Sequence, residues 1–485
     1  MTQELIAVVD IGKTHAKLLL VEAASGEVRW MRQRACSSVQ GPLCSQLDIA
    51  GIEEWLIDSL STVEERSRIR HLVPVAHGAA AVLIDEAGEP LAALDYEDPV
   101  FASDCEGYDA LRDPFSETFS PSLPLGLNLG RQLHFLQTRH ASLWDRVRWI
   151  LLYPQFWAWR FSGVLASEIT SLGCHTDLWR PQQSRFSEMA RRRGWDQLVP
   201  AMRPAGAVLG PVTQTMADAA GLDTRCRVYC GIHDSNASYL CHLAEQLRDG
   251  PTQQPVKDWP TVISSGTWTI VLAPAAPLSI LQEPWDMLAN IDAYGHPVAT
   301  ARFMGGREFA EIAGPEGREP APDSEILGNV LAKKIMALPS FASEGGPFAG
   351  RQGLLVHHEQ IASPAERVAL ATLYTALMSD LLLDKLGVTG DVIIDGPLTR
   401  NLLYGRVLQT LRPAAKVSAN NSSYGAATAA RFLVSGAPPS RSDQICAPCL
   451  KQSAALEAHR RDWRSKIAHV SAGEIPCSAT PARRI

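Results

Sequence analysis

The fold is decided by positions 8–17, which read Val8-Val9-Asp10-Ile11-Gly12-Lys13-Thr14-His15-Ala16-Lys17. Residues 5–10 form an apolar, β-branched run that predicts a buried strand, and residues 17–22 predict a second strand. The intervening Gly12-Lys13-Thr14 has the composition of a tight turn. The segment therefore predicts a hairpin with a carboxylate at the end of its first strand and a glycine at its turn.

A similar segment occurs in the second half of the chain. Residues 262–267 read Val-Ile-Ser-Ser-Gly-Thr and lead into another apolar run at residues 270–272. Aligning the two segments places Gly266 on Gly12, with about half of the chain between them. Self-similarity of this kind indicates an internal repeat. We therefore predict two domains of related plan.

The rest of the sequence mixes strand and helix patterns. Residues 51–66 show helical spacing of their apolar side chains, whereas residues 72–76 and 228–232 read as strands. Such a mixture indicates an α/β fold. The predicted organisation is a first domain at residues 1–245, a polar linker at 246–260, a second domain at 261–440 and a peripheral tail at 441–485.

The composition is that of an ordinary globular protein. The chain has 485 residues, of which 46% are hydrophobic, and its 45 basic and 52 acidic side chains give a formal net charge of −7. A mildly acidic chain argues against a nucleic-acid-binding protein, because such proteins carry a concentrated basic surface. No run approaches the roughly 18 apolar residues of a membrane span, and no basic leader is present at the start. We expect a cytoplasmic protein that binds neither nucleic acid nor membranes.

The ten cysteines are scattered, without the spacing of a disulfide framework, and we expect them to be reduced. Cys446 and Cys449 form a C-x-x-C pair. A zinc site would need two further ligands, and a redox role would need a thioredoxin-like context. We therefore expect two ordinary thiols in a loop.

The two glycine-containing turns are suited to binding phosphate. Glycine lets backbone N–H groups approach an anion closely, and neighbouring threonine hydroxyls can add hydrogen bonds. Asp10, at a strand end before such a turn, can hold Mg²⁺, and Lys13 and Lys17 would neutralise phosphate charge. Each hairpin alone is also compatible with an ordinary β-turn, and it is the repetition that favours phosphate binding. The chain contains neither a G-x-x-x-x-G-K-[ST] loop nor a dinucleotide-binding G-x-G-x-x-G after a strand.

Several segments resemble motifs of the FGGY carbohydrate kinases and occur in the order of that family, from residue 10 to about residue 430. DIGKTHAK (10–17) resembles the first phosphate motif of the family, and SSGTWT (264–269) resembles the second. IIDGPLTRN (393–401) resembles the adenosine motif, and GIHDSNAS (231–238) resembles the segment of the catalytic aspartate. Weaker similarities are AHG (76–78), FSG (161–163) and YGAATAA (424–430).

The resemblance implies two actin-like, ribonuclease-H-like ATPase domains that close on ATP, Mg²⁺ and a sugar in an interdomain cleft. It implies that Asp10 organises the metal and that Asp234 is the general base. The other implied contacts are with the phosphates from Gly12, Lys13, Thr14, Lys17, Gly266 and Thr267, with the adenosine from Gly396 and Asn401, and with the sugar from His77, Gly78, His233 and Asp234.

The chemistry of these residues fits phosphoryl transfer, which depends on positioning and charge neutralisation, with a carboxylate to accept the proton of the sugar hydroxyl. Other interpretations remain open from the residues. Asp234 can serve as a helix N-cap alone, and His77 and His233 can be structural.

Two positions depart from the family pattern. Lys13 stands where the family commonly has threonine, and Pro397, which follows Gly396, has no N–H to donate. These changes suggest a divergent branch that retains kinase activity.

We expect an ATP-dependent kinase of a small ketose or polyol, such as L-fuculose, L-rhamnulose, xylulose or ribulose. The alternatives are an actin-like ATPase without a sugar substrate and a non-catalytic sugar sensor. The identity of the sugar is open, with residues 96–98 and 171–177 as candidate specificity loops. The oligomeric state is equally open, and a homodimer is one option.

Overall fold

The computed structural model describes residues 4–103, 105–243, 259–315, 323–420, 425–437, 445–446 and 449–471. The chain divides into two compact units, each built from several stretches of sequence. Unit 1 consists of Met1–Gln253, Leu288–Val298 and Tyr424–Pro439, and unit 2 consists of Gln254–Met287, Ala299–Ser423 and Ser440–Ile485. Strands and helices alternate in both units, which gives the α/β class predicted from the sequence.

The strands of the first half of the chain are β1 (Leu5–Ile11), β2 (His15–Glu22), β3 (Val28–Ala35), β4 (Ser38–Gln40), β5 (Ser45–Leu47), β6 (Ile69–Ala76), β7 (Ala81–Ile84), β8 (Pro90–Ala92), β9 (Trp149–Leu152), β10 (Trp179–Arg180), β11 (Arg185–Phe186), β12 (Val208–Pro211), β13 (Arg227–Tyr229) and β14 (Ile232–His233). The helices of this half are α1 (Ile49–Thr62), α2 (Val100–Ser103), α3 (Tyr108–Leu111), α4 (Phe115–Thr118), α5 (Leu129–Arg139), α6 (Ala141–Trp144), α7 (Tyr153–Ser162), α8 (Ile169–Leu172), α9 (Glu188–Arg192), α10 (Gln214–Ala220) and α11 (Asp234–Leu243).

The strands of the second half are β15 (Thr261–Ser265), β16 (Thr269–Ala273), β17 (Met287–Ile291), β18 (Pro297–Phe303), β19 (Met336–Leu338), β20 (Leu354–Val356), β21 (Val392–Asp395), β22 (Val417–Ala419) and β23 (Ile445–Cys446). Its helices are α12 (Gly305–Ala313), α13 (Ser324–Ala332), α14 (Pro364–Lys385), α15 (Leu402–Leu411), α16 (Gly425–Ser435) and α17 (Ser453–Ser471).

The main sheet of unit 1 has the strand order β12-β13-β6-β1-β2-β3, and β14 also pairs with β6. Its central strand β1 is buried on both faces, and alternate residues belong to different cores. Leu5 and Val9 pack in a cluster with Leu56 of α1, whereas Ile6 packs in a second cluster with Leu240 of α11. This alternation follows from the two-residue period of a strand. Helices on both faces thus hold β1 and its end in place.

A second sheet of seven strands has the order β17-β18-β16-β15-β21-β22-β23, and its strands β15, β16, β21, β22 and β23 lie in unit 2. The 22-residue helix α14 is buried along most of its length, including the polar residues Thr372, Ser379 and Asp380. A helix that is buried on nearly every side belongs to the interior of its unit.

The internal repeat predicted from Gly12 and Gly266 is visible in the topology. In unit 1, β1 and β2 form an antiparallel hairpin, and β1 pairs in parallel with the later strand β6. In unit 2, β15 and β16 form the same kind of hairpin, and β15 pairs in parallel with β21. Each glycine turn therefore lies at the carboxyl end of a central strand.

The chain beyond residue 440 differs from the predicted peripheral tail, because α17 is an integral part of unit 2. Trp463 is fully buried, and its indole N–H donates to the carbonyl oxygen of Ala337 at 2.8 Å. Arg460 and Arg464 pair with the buried carboxylate of Asp380 at 2.7 and 2.6 Å. The arginine-rich sequence of α17 is explained by this buried acidic partner on α14.

Two predictions fall largely on residues that the structure does not describe. Positions 246–258 of the predicted linker lie outside the described residues, and so does the side chain of Cys446. Cys449 is exposed. Within the described part of the chain, no helix is both long and apolar enough to cross a membrane.

Candidate active site

Three strands of unit 1 end at the same edge of its sheet. Both β1 and β14 pair in parallel with β6, so that Ile11 and His233 each lie opposite Ala76. Side chains at the carboxyl ends of neighbouring parallel strands lie close together, and such edges are common binding sites. Asp10 and Asp234, both predicted site residues, are therefore brought to one place.

The strand predicted at residues 228–232 is interrupted by Gly231, which separates β13 from β14. Gly231 has a φ of +83°, and an added Cβ atom would lie only 2.4 Å from the carbonyl oxygen of Pro74. This conformation and this close approach require glycine. The break lets β14 pair with the end of β6 and places His233 and Asp234 at the sheet edge.

Asp234 begins helix α11 and uses one carboxylate oxygen for internal hydrogen bonds. Its Oδ1 accepts from the backbone N–H of Ser235 at 2.6 Å and lies 3.2 Å from Nε2 of His233. The side-chain amide of Asn236 lies 3.2 Å from the other ring nitrogen of His233 and donates to it, so that Nε2 carries the proton. Among the described residues, Oδ2 of Asp234 has no hydrogen-bond partner, and the side chain is 38% exposed.

The carboxylate of Asp10 is desolvated and lies near a second negative charge. Burial is the main cause that raises the pKa of Asp10 to about 6; Lys17 acts in the opposite direction, and the charge of Asp234 adds to the rise. Lys17 faces Asp10 across the hairpin, with 3.6 Å between Nζ and Oδ2. A desolvated carboxylate beside a second negative charge forms an environment that a divalent cation would stabilise.

The donor set fits magnesium bound with the help of a nucleotide. The described residues contain no group of three or more histidine, cysteine, aspartate or glutamate side chains arranged for a metal ion. Mg²⁺ is commonly held by one or two carboxylates, together with waters and substrate phosphates. Asp10 is the residue that would hold it.

His77 is buried against aromatic side chains beside the predicted catalytic segment. Its Nδ1 donates to the carbonyl oxygen of Gly78 at 2.8 Å, and its ring lies 4.9 Å from that of Tyr153. Burial lowers the pKa of His77 and of His233, so both rings are neutral at neutral pH. A Cβ atom at Gly78 would lie 2.8 Å from Nε2 of His233, so a larger residue there would displace that ring.

Lys13 occupies a different position from the one expected of a phosphate ligand. Its ammonium forms an ion pair with Asp95, lies 3.5 Å from Glu97 and lies 4.8 Å from the ring centroid of Tyr96. Thr14 is exposed at the same turn, which is closed by a hydrogen bond from the N–H of Gly12. The structure therefore places Gly12 and Thr14 at the turn and Lys17 beside it on β2, but directs Lys13 towards Asp95.

A buried carboxyl group that the sequence analysis missed supports the segment of Asp234. The backbone N–H of His233 donates to the hydroxyl of Thr170 at 3.1 Å, and that hydroxyl donates to Oε2 of Glu168 at 2.5 Å. Burial raises the pKa of Glu168 to about 8. The sequence signal was a glutamate two residues before a threonine, which is too common to single out.

In unit 2, the turn at Gly266 and Thr267 is exposed and lies against the start of helix α12. The N–H of Gly306 donates to the carbonyl oxygen of Thr267 at 3.2 Å, and a Cβ atom on Gly306 would lie 2.1 Å from that of Gly266. A side chain at Gly305 would collide with Thr269. The double glycine, which the sequence analysis overlooked, thus brings a helix N-terminus to the second phosphate turn.

The predicted adenosine segment adjoins the same turn through Ser265. Gly396 has a φ of +79°, and a Cβ atom there would lie 2.1 Å from the carbonyl oxygen of Ser265. The hydroxyl of Ser265 accepts from the N–H of Leu398, the first N–H after Pro397. This hydrogen bond shows how the turn is stabilised despite the proline.

Asn401 has a structural role in unit 2. Its Oδ1 accepts from the N–H of Tyr404 and caps helix α15, and its amide donates to the hydroxyl of Thr372 at 2.8 Å. A contact between Asn401 and adenosine remains a prediction.

Sequence and fold comparisons define the class of protein to which these features belong, a carbohydrate kinase. The family model for the C-terminal domain of FGGY carbohydrate kinases matches residues 258–442. A crystal structure of a carbohydrate kinase from Novosphingobium aromaticivorans is 31% identical, with a TM-score of 0.85 and a match that covers 97% of this chain and all of that one. The chain belongs to the FGGY carbohydrate kinase family, and it is an ATP:sugar phosphotransferase.

Other solved structures share the fold at lower identity. A ligand-bound xylulose kinase from Lactobacillus acidophilus is 13% identical, with a TM-score of 0.77, and the match covers 97% of this chain and 99% of that one. A glycerol kinase from Plasmodium falciparum, solved with ADP, is 10% identical, with a TM-score of 0.70 and coverages of 98% and 99%. The predicted actin-like, two-domain fold is confirmed by these matches. A comparison with curated protein sequences found no match.

Proposed function

We propose that this kinase transfers the γ-phosphoryl group of ATP to a hydroxyl of a small ketose or polyol, with Asp234 as general base. The proposal rests on the hydrogen bonding of the Asp234 carboxylate. Its Oδ1 is engaged by Ser235 and His233, whereas Oδ2 has no partner among the described residues. A half-exposed carboxylate fixed through one oxygen can accept a proton from a substrate hydroxyl through the other.

The neighbours of Asp234 support this role. The neutral ring of His233 donates through Nε2 to Oδ1, which orients the carboxylate without neutralising it. The ring is held by the side-chain amide of Asn236, and the backbone of His233 is held by its N–H donating to the hydroxyl of Thr170. A base held in this way needs little reorganisation during proton transfer.

We propose that Asp10 holds the Mg²⁺ that accompanies ATP. The ion, when bound, would neutralise charge on the transferred phosphoryl group. Asp10 of β1 is paired with Lys17 of β2, and these two strands flank the first phosphate turn. Gly12, Thr14 and Lys17 would contact phosphate oxygens in this interpretation.

The nucleotide is proposed to use residues of unit 2 as well. Gly266 and Thr267 present an exposed turn beside the N-terminus of α12, a favourable environment for a phosphate. Gly396 and Asn401 are proposed to border the adenosine.

For the acceptor, we propose a ketose or polyol of the L-fuculose, L-rhamnulose, xylulose or ribulose type. The relatives with solved structures include xylulose kinases and a glycerol kinase. Buried neutral histidines and aromatic rings, as at His77 and Tyr153, suit an uncharged polyhydroxylated ligand.

The proposal is tested by coupled ADP release with L-fuculose, L-rhamnulose, D-xylulose, D-ribulose and glycerol. The wild type should consume ATP in a sugar-dependent manner with at least one of them. Asp234→Asn should lower kcat by roughly 100-fold or more, because general-base catalysis contributes about that much. Asp218→Asn, at an exposed position of unit 1, serves as the matched control and should behave as wild type. Near-normal turnover by Asp234→Asn would remove Asp234 from the mechanism.

A further inference from the structure

Two lysines of the first hairpin differ in their surroundings, although they lie only four residues apart. Lys17 is opposite Asp10 in the hairpin register and lies 3.6 Å from its carboxylate. Lys13 instead pairs with Asp95, which is 82 positions away in the sequence, and with Glu97 at 3.5 Å. The hairpin therefore places the ammonium group of Lys17 beside the proposed metal ligand Asp10 and that of Lys13 beside the loop at residues 95–97.

The loop that holds Lys13 adjoins the proposed acceptor residues. The ring of Tyr96 packs edge-on against the ring of His77 at 5.8 Å, and the ammonium of Lys13 lies over the same Tyr96 ring. Burial, followed by the charges of Glu97 and Asp234, raises the pKa of Tyr96. Tyr96 is thus within electrostatic range of the proposed base as well as in contact with Lys13.

A role of Lys13 as a phosphate ligand would require its ammonium to leave these partners. The carboxylate of Asp95 is 7% exposed and also accepts from the hydroxyl of Ser38 and the backbone N–H of Glu97. Withdrawal of Lys13 would leave this buried carboxylate without its counter-ion, which is unfavourable. A lysine tethered in this way still has donor capacity, because an ammonium group carries three N–H donors.

We propose that Lys13 is a sugar-recognition residue. Its ammonium, fixed by Asp95 and Glu97 over the ring of Tyr96, donates a hydrogen bond to an oxygen of the acceptor other than the hydroxyl that faces Asp234. The ligand class is a neutral ketose or polyol with a free hydroxyl or carbonyl oxygen at that position. This inference rests on the function proposed above and assigns a specificity role to the position where the chain departs from the family pattern.

The test compares Lys13→Met and Lys17→Met by steady-state kinetics, with whichever of the sugars named above gives the highest kcat/KM. Lys13→Met should raise the KM for the sugar by about tenfold or more, the usual effect of losing a charged hydrogen bond, and leave the KM for ATP within about twofold. Lys17→Met should have the opposite pattern, with the larger change in the KM for ATP. A Lys13→Met enzyme whose KM for ATP rises while that for the sugar is unchanged would overturn the inference.

Asp95→Asn provides a second variant that keeps the shape of the loop. If Lys13 recognises the sugar, loosening its tether should raise the KM for the sugar. If Lys13 is instead a phosphate ligand restrained by Asp95, the same substitution should leave the KM for the sugar unchanged and lower that for ATP. Absence of any sugar-dependent turnover in the wild type would be a different result, since it would refute the proposed function itself and the inference with it.

Discussion

Glu168 is a carboxyl group with no solvent exposure, two residues before Thr170, and it accepts a hydrogen bond from the Thr170 hydroxyl beneath the segment of Asp234. Its hydrogen bonds from the hydroxyl and the backbone N–H of Thr170 favour the ionised form, but burial outweighs them and raises its pKa to about 8. At neutral pH the folded protein therefore holds Glu168 largely protonated, whereas the unfolded chain ionises it at its ordinary value.

This difference predicts a pH dependence of stability. Since the pKa is 4.5 in the reference state and about 8 in the fold, the folded state binds the additional proton between these values. The contribution of Glu168 to the free energy of unfolding should therefore be largest below pH 4.5. It should fall by up to about 1.4 kcal/mol per pH unit as the pH rises to about 8. Glu168→Gln should lose this contribution, so that its stability relative to wild type rises across the interval in urea denaturation.

Glu54→Gln, at an exposed position of α1, is the matched control and should follow the wild type at every pH. A Glu168→Gln protein with the same pH dependence as the wild type would show that Glu168 is ionised in the fold.

For single residues, the sequence predicted the positions of glycines and carboxylates better than it predicted their hydrogen-bond and ion-pair partners. The places of Asp10 near a strand end and of Gly12 in a turn could be predicted because a strand, a turn and a second strand are adjacent in sequence. The pairing of Lys13 with Asp95 could not be predicted, because it joins residues far apart and depends on the packing of the loop. The support of Asp234 by Thr170 was missed for the same reason.

At the scale of elements, the turn after β21 depends on one glycine. Gly396 combines a φ of +79° with a carbonyl oxygen at 2.1 Å from the position of a Cβ atom. Gly396→Ala should destabilise unit 2 by about 2 kcal/mol or more, because an L-residue is strained in this conformation and the Ser265 backbone must shift. The same substitution should raise the KM for ATP, because Gly396 is proposed to border the adenosine.

Gly390→Ala is a suitable control, because a Cβ atom there meets no atom within 4 Å and its φ is not positive. It should be neutral or slightly stabilising. Thermal denaturation measures the stability of the two variants, and steady-state kinetics measures their KM for ATP. Equal values for both variants would contradict a requirement for glycine at position 396.

Helix α17 is predicted to be required for the stability of unit 2. Trp463→Ala should lower the free energy of unfolding by about 3–5 kcal/mol, because it removes a fully buried indole and its hydrogen bond to Ala337. Arg461→Ala, whose side chain is 70% exposed on the same helix, should change it by less than about 0.5 kcal/mol. Circular dichroism during urea denaturation measures both, and a small effect of Trp463→Ala would show that the helix is dispensable.

The elements themselves were predictable to different degrees. Hairpins such as β1–β2 and β15–β16 follow from local alternation and turn composition, and both are present. The strand at residues 228–232 was predicted as continuous, but Gly231 divides it, since the approach to Pro74 is a tertiary contact. Helix α17 was not predicted as part of a core, because Asp380, the buried partner of Arg460 and Arg464, lies far earlier in the sequence.

At the scale of the whole molecule, the repeat of the glycine hairpin could be predicted, whereas the exact division of the chain could not. Unit 1 includes Leu288–Val298 and Tyr424–Pro439, which a contiguous division at residues 246–260 assigns elsewhere. Sequence patterns report local structure, but membership of a unit depends on which residues pack together. The order of the motifs along the chain nevertheless identified the family, which the comparisons confirm.

Phosphoryl transfer to a sugar is tested by the stoichiometry of the reaction, measured by phosphorus NMR with the preferred sugar and Mg²⁺–ATP. A sugar kinase should form one sugar phosphate for every ADP, with little inorganic phosphate. ADP and inorganic phosphate without a sugar phosphate would identify an ATPase, and sugar binding without any ADP would identify a sensor. Either result would contradict phosphoryl transfer to a sugar hydroxyl.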